Sequence, residues 1–356
     1  MGENMETYQS IIKRFCLPDG TPEISGNFSG NINTTLRLDY PEGSYILQKI
    51  NLVVFPRYDE LMKNIRRVTD HVNRKNKKGM KIIPAKDGKP YAVVGEDCYR
   101  VYTYVENSVS FDIAESMEML QKAGSGFGKF QNDLDDFPAD ELFEVIPDFH
   151  NTEKRLADFK DAVAKDIAGR AGEVQDEIAF LLENEPLASV ICRPLREGKL
   201  PLRVTHNDTK LNNILFDKDT LEPICAIDLD TVMSGSVLYD YGDAVRYGAN
   251  KEGEITENID AVALDLGLFR AFSYGFLEQT KTVLTAQEIA LLPESVAVMT
   301  YELALRFLED YLRGDVYFGE AFKGINLLRA RVQIKLLKDV LKKLPQMRMI
   351  LTEYLD

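Results

Sequence analysis

Apolar and polar positions first follow a mixture of strand and helix spacings, then turn predominantly helical near residue 106. Tyr8–Phe15 reads as a short helix that stops at Leu17-Pro-Asp-Gly20. The strand-like runs Thr34–Leu38 and Tyr45–Ile50 flank the turn Tyr40-Pro-Glu-Gly-Ser44, which predicts a hairpin. From Phe55 to about Lys75, Leu61, Ile65 and Val68 share one face and Arg66 and Arg67 lie on the other, as in an amphipathic helix. Tyr91–Val94 and Tyr99–Val105 read as strands around Gly95-Glu-Asp97. Helical spacing then predicts Met117–Leu134, Phe149–Arg170, Val174–Leu182, Leu264–Leu277, Pro293–Leu312 and Leu327–Leu344. Gly124, Gly126 and Gly128 point to close packing of the first of these. One hairpin interrupts: Ile214–Phe216 and Ile224–Ile227 flank the turn Asp217-Lys-Asp-Thr220. The pattern predicts an α+β chain, with an antiparallel sheet plus helix in residues 1–106 and a mostly helical lobe in residues 107–356.

At 356 residues the chain is long for one compact core, in keeping with two lobes. Its 45% apolar and 28% charged residues are those of an ordinary globular protein. The net charge of −14, without a basic run to track a phosphate backbone, argues against nucleic acid as a partner. That acidity serves solubility, or an acidic cleft drawing in a cationic substrate. Four scattered cysteines and three histidines suggest no metal cluster, and free thiols in a reducing cytoplasm are expected. No apolar stretch approaches a membrane span, and Met1–Glu6 lacks a signal-peptide core. A cytoplasmic location with no membrane partner is the expectation.

The chemistry gathers at the two outer ends of the Ile214–Ile227 hairpin. One end carries His206, Asp208, Lys210 and Asn213, and the other Asp228 and Asp230. Phosphoryl transfer from Mg-ATP needs a carboxylate for the acceptor hydroxyl, a cation for the moving group and oxygen ligands for Mg²⁺. Asp-x-Lys-x-x-Asn, followed by Asp after an apolar strand, keeps the order of the protein-kinase catalytic loop and metal-binding Asp. Asp208 and Lys210 are therefore catalytic candidates, and Asn213, Asp228 and Asp230 metal candidates. A continued strand would turn both Asp228 and Asp230 to one side. Asp208 could instead make an Asx turn, and Asp230 could be a solvated loop acid. His206 is expected beneath the loop as a structural residue. Asp240 and Asp243 either accept hydrogen bonds from the loop or cap a helix. Gly26 and Gly30 lie in a small-residue stretch that suits a phosphate cradle or a plain turn.

With these residues in view, the chain resembles the aminoglycoside phosphotransferase-like kinases, which share the two-lobed protein-kinase fold. It is most similar to their N-acetylhexosamine 1-kinase branch. The resemblance runs nearly end to end, through Asn31-Ile-Asn-Thr-Thr35, Tyr45-Ile-Leu-Gln48, Arg203–Leu215, Ile227-Asp-Leu-Asp-Thr231, Phe307-Leu-Glu-Asp-Tyr311 and Gly314-Asp-Val-Tyr317. It implies Asp208 as catalytic base, Asn213 and Asp228 as Mg²⁺ ligands, and the Val105-Glu106 link as a hinge receiving adenine, with Gly30 near the phosphates. The implied reaction is ATP-dependent phosphorylation of the C1 hydroxyl of N-acetylglucosamine or N-acetylgalactosamine, with Asn33, Arg306 and Tyr317 holding sugar hydroxyls. The partners expected are ATP and a small sugar, and the chain is expected to be a monomer. Two positions depart from pattern: Gln48 stands where protein kinases carry the strand-three Lys, and Asn31 where the sugar-kinase branch would have His. Rival readings are a kinase for an aminoglycoside, choline or homoserine, and a nucleotide-binding pseudokinase.

Overall fold

The structure, a computed structural model, describes residues 5–29, 33–76, 78–319 and 321–355. The first part comprises helix α1 (Met5–Ile12), strands β1 (Glu23–Ser29), β2 (Thr34–Tyr40) and β3 (Gly43–Ile50), helix α2 (Tyr58–Lys75), and strands β4 (Ile82–Ile83), β5 (Ala92–Val94) and β6 (Asp97–Thr103). The strands form one antiparallel sheet in the order β1-β2-β3-β6-β4, with β5 also paired to β6. β2 and β3 close around Pro41-Glu42, so the hairpin expected there forms, with Gln48 opposite Arg100 on β6. Gly26 sits within β1 at a bulge between Ser25 and Phe28. Leu61, Ile65 and Val68 of α2, one face of the helix, are fully buried with Ile50, Cys98 and Tyr102 of the sheet.

The remainder holds β7 (Ser108–Val109), α3 (Met117–Asp133), α4 (Thr152–Lys165), α5 (Gln175–Glu183), α6 (Ser189–Arg196), β8 (Arg203–Thr205), β9 (Ile214–Asp217), β10 (Pro223–Ala226), β11 (Met233–Gly235), α7 (Val237–Gly248), α8 (Leu266–Thr280), α9 (Ala286–Arg313) and α10 (Ile325–Leu355). The expected hairpin is β9–β10, and β7 adds to the outer side of β9. β8 and β11 pair separately, Thr205 opposite Met233. The glycines of α3 serve close packing: a Cβ on Gly124 would lie 2.2 Å from the carbonyl oxygen of Phe272, and one on Gly275 of α8 would lie 1.9 Å from that of Gln121. These two backbones meet where no side chain fits.

The helix expected over Phe149–Arg170 is shorter, Thr152–Lys165, and two other expected limits move at a proline. α9 begins seven residues before Pro293, fixed by a capping box in which Thr285 accepts from the Glu288 N–H and the Glu288 carboxylate accepts from the Thr285 N–H. α10 runs on through Pro345 to Leu355. Each proline forfeits one helical hydrogen bond, and burial of the helix flanks offsets the loss, with Leu292, Val296, Met347 and Ile350 all in the core.

Candidate active site

β8 delivers the chain into the loop that bears the candidate catalytic residues. Its first residue, Arg203, is tied to Glu288 of α9 at 2.6 and 3.0 Å and to Asp135 at 2.7 Å. The loop beyond is held from beneath by Asp240 of α7. One carboxylate oxygen accepts the His206 N–H at 2.8 Å and the Gln131 side-chain amide at 2.7 Å, and the other accepts the Asn207 N–H at 2.8 Å. Burial still pushes this carboxyl above the usual range, although His206 and the two N–H groups pull the other way. Of the two acids expected to support the loop or cap a helix, Asp240 takes the loop. Asp243 pairs with Arg246 at 2.8 Å. His206 is fully buried. Its Nε2 lies 2.8 Å from the Ile227 carbonyl, and its Nδ1 accepts the Asp208 N–H at 3.3 Å, which assigns the proton to Nε2. The ring thereby splints the catalytic loop to the end of the hairpin, as expected for a structural histidine.

Asp208 emerges from this base into the open. One carboxylate oxygen lies 2.9 Å from the Lys210 ammonium, and the other accepts from the Asn213 side-chain amide at 3.2 Å. That amide also donates to the Asp208 carbonyl at 2.8 Å, leaving the Asn213 side-chain oxygen directed elsewhere. Burial works against the charge on Lys210, but Asp208 outweighs it and the ammonium pKa is raised. Asn207 and Asp228 both hold positive φ, 64° and 56°, in the left-handed region that Asn and Asp tolerate best among side-chain-bearing residues.

The turn at Asp228 corrects the expectation of a continued strand. Residues 229–231 form a 3₁₀ turn, so Asp228 and Asp230 part company. The Asp228 carboxylate faces the cleft with no protein cation or hydrogen-bond donor on it among the described residues. Desolvation by the surrounding protein, together with the charges of Asp230 and Asp208, pushes its pKa up to about 6. Asp230 is 4% exposed and fully engaged: one oxygen pairs with Arg100 at 2.5 Å and the other accepts from Asn33 at 2.6 Å. Asp230, expected as a metal candidate or a solvated loop acid, is therefore no solvated acid, and each of its oxygens already faces one protein donor. Asn33 is likewise engaged internally, its amide oxygen accepting the Asn51 N–H at 3.0 Å.

A second buried chain approaches the loop from α9. Glu302 accepts from Thr152 at 2.7 Å and pairs with the His150 Nδ1 at 2.7 Å, and the His150 Nε2 reaches the Asn207 carbonyl at 3.4 Å. One helical turn beyond Glu302 lies Arg306, its guanidinium over the rings of Phe149, Tyr317 and Phe318 at 5.4, 5.9 and 5.5 Å. Arg306 and Tyr317 are thus brought together, and Tyr317 is 67% exposed. No carboxylate pairs with Arg306 or with neighbouring Arg155 among the described residues. Burial and the like charge of Arg306 both lower the Arg155 pKa.

Between β6 and β7, Val105 and Glu106 form an irregular link, with Glu106 exposed. No described backbone hydrogen bond uses the Val105 N–H or the Glu106 carbonyl. Gly30 and Asn31 lie outside the described residues. Sequence reasoning missed Arg100, His150 and Glu302. Arg100 carried a signal, a charged residue on the same strand face as Cys98 and Tyr102. The other two sit where only tertiary contact reveals them.

Comparison with known proteins sets this geometry in a family. A sequence model of the phosphotransferase enzyme family matches residues 23–274. Among solved structures, choline kinase from Cryptosporidium parvum Iowa II superposes with a TM-score of 0.60 at 15% identity, covering 99% of each chain. An ethanolamine kinase from Plasmodium vivax matches at 0.59 and 14% identity, over 96% of this chain and 91% of its own. A spectinomycin phosphotransferase in complex with ADP and its antibiotic matches at 0.56 and 12% identity, over 95% and 98%. At such identities the structures speak for the fold alone, a protein-kinase-like one, while the family match spans well over half of the sequence. The chain belongs to the phosphotransferase enzyme family.

Proposed function

We propose that this protein is an ATP-dependent small-molecule kinase that phosphorylates the C1 hydroxyl of an N-acetylhexosamine. The observation that carries the reading is the Asp208 carboxylate, held between Lys210 and Asn213 on a buttressed loop, close enough to feel the charge of an Asp228 carboxylate that has no protein partner among the described residues. Asp208 would accept the proton of the acceptor hydroxyl as its oxygen attacks the γ-phosphorus of ATP in line and the bond to the departing ADP breaks. Lys210, already drawn to Asp208, offsets negative charge as it gathers on the transferred group.

The residues present fit a magnesium ion. Asn213 and Asp228 offer hard oxygen donors that no other described residue occupies, and Asp230, whose two oxygens face Asn33 and Arg100, is left out of the proposed set. No cluster of three or more His, Cys, Asp or Glu side chains forms a metal cage among the described residues. Mg²⁺ is commonly bound through one or two protein ligands, completed by nucleotide phosphates. When bound it would neutralise phosphate charge. The Val105-Glu106 link would offer its backbone groups to adenine.

The acceptor side favours a neutral, oxygen-rich molecule. Arg306 and Arg155 present two guanidinium groups with no carboxylate in direct ion-pair contact among the described residues, Glu302 and Glu309 acting on Arg155 only at longer range, beside Phe149 and Tyr317. A quaternary amine or polyamine would meet like charge there, whereas sugar hydroxyls and an N-acetyl carbonyl would accept hydrogen bonds. Arg306 and Tyr317 are the proposed sugar contacts. Asn33 would join them with its second amide hydrogen, the first being held by Asp230.

The test is ADP release from Mg-ATP across N-acetylglucosamine, N-acetylgalactosamine, galactose, kanamycin, choline and homoserine. Turnover with an N-acetylhexosamine supports the reading. Turnover confined to kanamycin or choline would overturn the sugar assignment, and ATP binding without turnover on any acceptor would favour a pseudokinase.

A further inference from the structure

Gln48 leaves the third strand without the lysine that protein kinases place there. Its side chain does not reach for phosphate. The amide nitrogen donates to the Thr35 hydroxyl at 3.0 Å, and the oxygen accepts from Arg100 at 2.9 Å. Arg100 lies directly opposite Gln48 on β6 and is 1% exposed. Burial works against its charge, but the pairing with Asp230 and the other negative groups nearby outweigh burial, and the guanidinium pKa is raised. The partner of this cation comes from across the cleft: Asp230 belongs to the turn that presents Asp228. The small-lobe helix α2 contributes only the Met62 sulfur, 3.8 Å from the guanidinium. Asn33, at the start of β2, closes on the remaining Asp230 oxygen. Arg100 of β6 and Asn33 just before β2 thus meet on one carboxylate, two residues from the open one, with Gln48 of β3 bracing Arg100 from behind.

We propose that Arg100 and Asp230 form the inter-lobe positioning pair that replaces the missing strand lysine, so that Asp230 fixes the nucleotide-binding sheet over Asp228 and does not ligate the metal. The inference rests on the kinase reading above. Burying a guanidinium without its carboxylate is costly, so the sheet cannot shift from the Asp228 turn without breaking a desolvated pair. A lysine in place of Arg100 would keep the charge but lose the fork that joins Gln48 to Asp230.

The test compares the unmodified chain with the charge-neutral double variant Arg100→Met/Asp230→Asn, in which the side-chain amide introduced at position 230 can still accept from Asn33. Binding of Mn²⁺ in the presence of ADP and the KM for ATP are measured separately. The proposal expects divalent-cation affinity to change less than about threefold, while the ATP KM rises about tenfold or more, as misplacement of one lobe implies. A loss of cation affinity of about tenfold or more, like that expected of Asp228→Asn, would make Asp230 a ligand and overturn the proposal. An unchanged ATP KM would reduce the pair to interior filling and overturn it equally. If the double variant fails to fold, Asp230→Asn decides on cation affinity and Arg100→Lys on the ATP KM, with the same thresholds. Failure of the unmodified chain to bind Mn-ADP would instead remove the kinase reading, and this inference with it.

Discussion

The two carboxylates at the end of β10 show how little of a side chain's role its identity fixes. Asp228 and Asp230 are chemically identical and two residues apart, yet one has no protein partner among the described residues and the other has two. The difference lies in a single left-handed residue, Asp228 itself, which sends the chain into a 3₁₀ turn. The raised Asp228 pKa gives a pH prediction with a definite sign. Its folded value, about 6, lies above the ordinary carboxylate value, so the folded metal-free protein holds the proton more tightly than the unfolded chain. From this group, metal-free stability rises as pH falls from about 6 and is lost as pH climbs back through it. Divalent-cation binding needs the ionised form, and below pH 6 its affinity should fall about tenfold per pH unit. Thermal denaturation should show a larger gain from Mg-ADP at pH 7.5 than at pH 5.5. An equal gain at both would contradict the assignment of Asp228.

Among the elements, α2 and the long helices α3, α8, α9 and α10 were readable, whereas the short α6 and the buried α7 were not expected. Helix α2 showed its stripe of Leu61, Ile65 and Val68 in the sequence, and the hairpins showed their turns. Helix α7, by contrast, is buried from Val237 through Arg246, and a helix covered on every side has no polar face to reveal its period. The prolines misled for a related reason: a rule about exposed helix interiors yields to packing when the flanks are in the core. The glycines of α3 were legible as a packing signal, but their partner on α8 was not. Gly275→Ala separates the two effects. Helix propensity alone would stabilise by about 1 kcal/mol, whereas a Cβ 1.9 Å from the Gln121 carbonyl should cost about 1–3 kcal/mol or more by overpacking. A melting temperature below that of the unmodified chain is expected, and a rise would show that the helices can separate freely.

At the scale of the whole molecule, the chain places its chemistry where the sheet-bearing part meets the helical part. The loop from β8, the turn after β10 and the rear of α9 converge there, tied by Asp240, by His206 and by the Glu302–His150 pair. The order Asp208, Lys210, Asn213, Asp228 was legible because its spacing is local. The Arg100–Asp230 pair spans 130 residues and was legible only as an oddly placed charge. The proposed acceptor side is likewise a tertiary product, with Arg306 resting on aromatic rings from two separate segments. Arg306→Ala should raise the KM for the sugar about tenfold, the loss of one or two hydrogen bonds to a charged donor, and leave the ATP KM unchanged. A matching rise in both would place Arg306 outside the acceptor site. The central claim is transfer to an anomeric hydroxyl through Asp208, and it is tested most directly by phosphorus NMR of the product formed from N-acetylglucosamine and Mg-ATP. The account predicts a phosphorus signal coupled to the proton on C1, with the Asp208→Asn variant forming product about 100-fold more slowly or worse. Phosphate on any other carbon, or near-normal turnover by that variant, would contradict it.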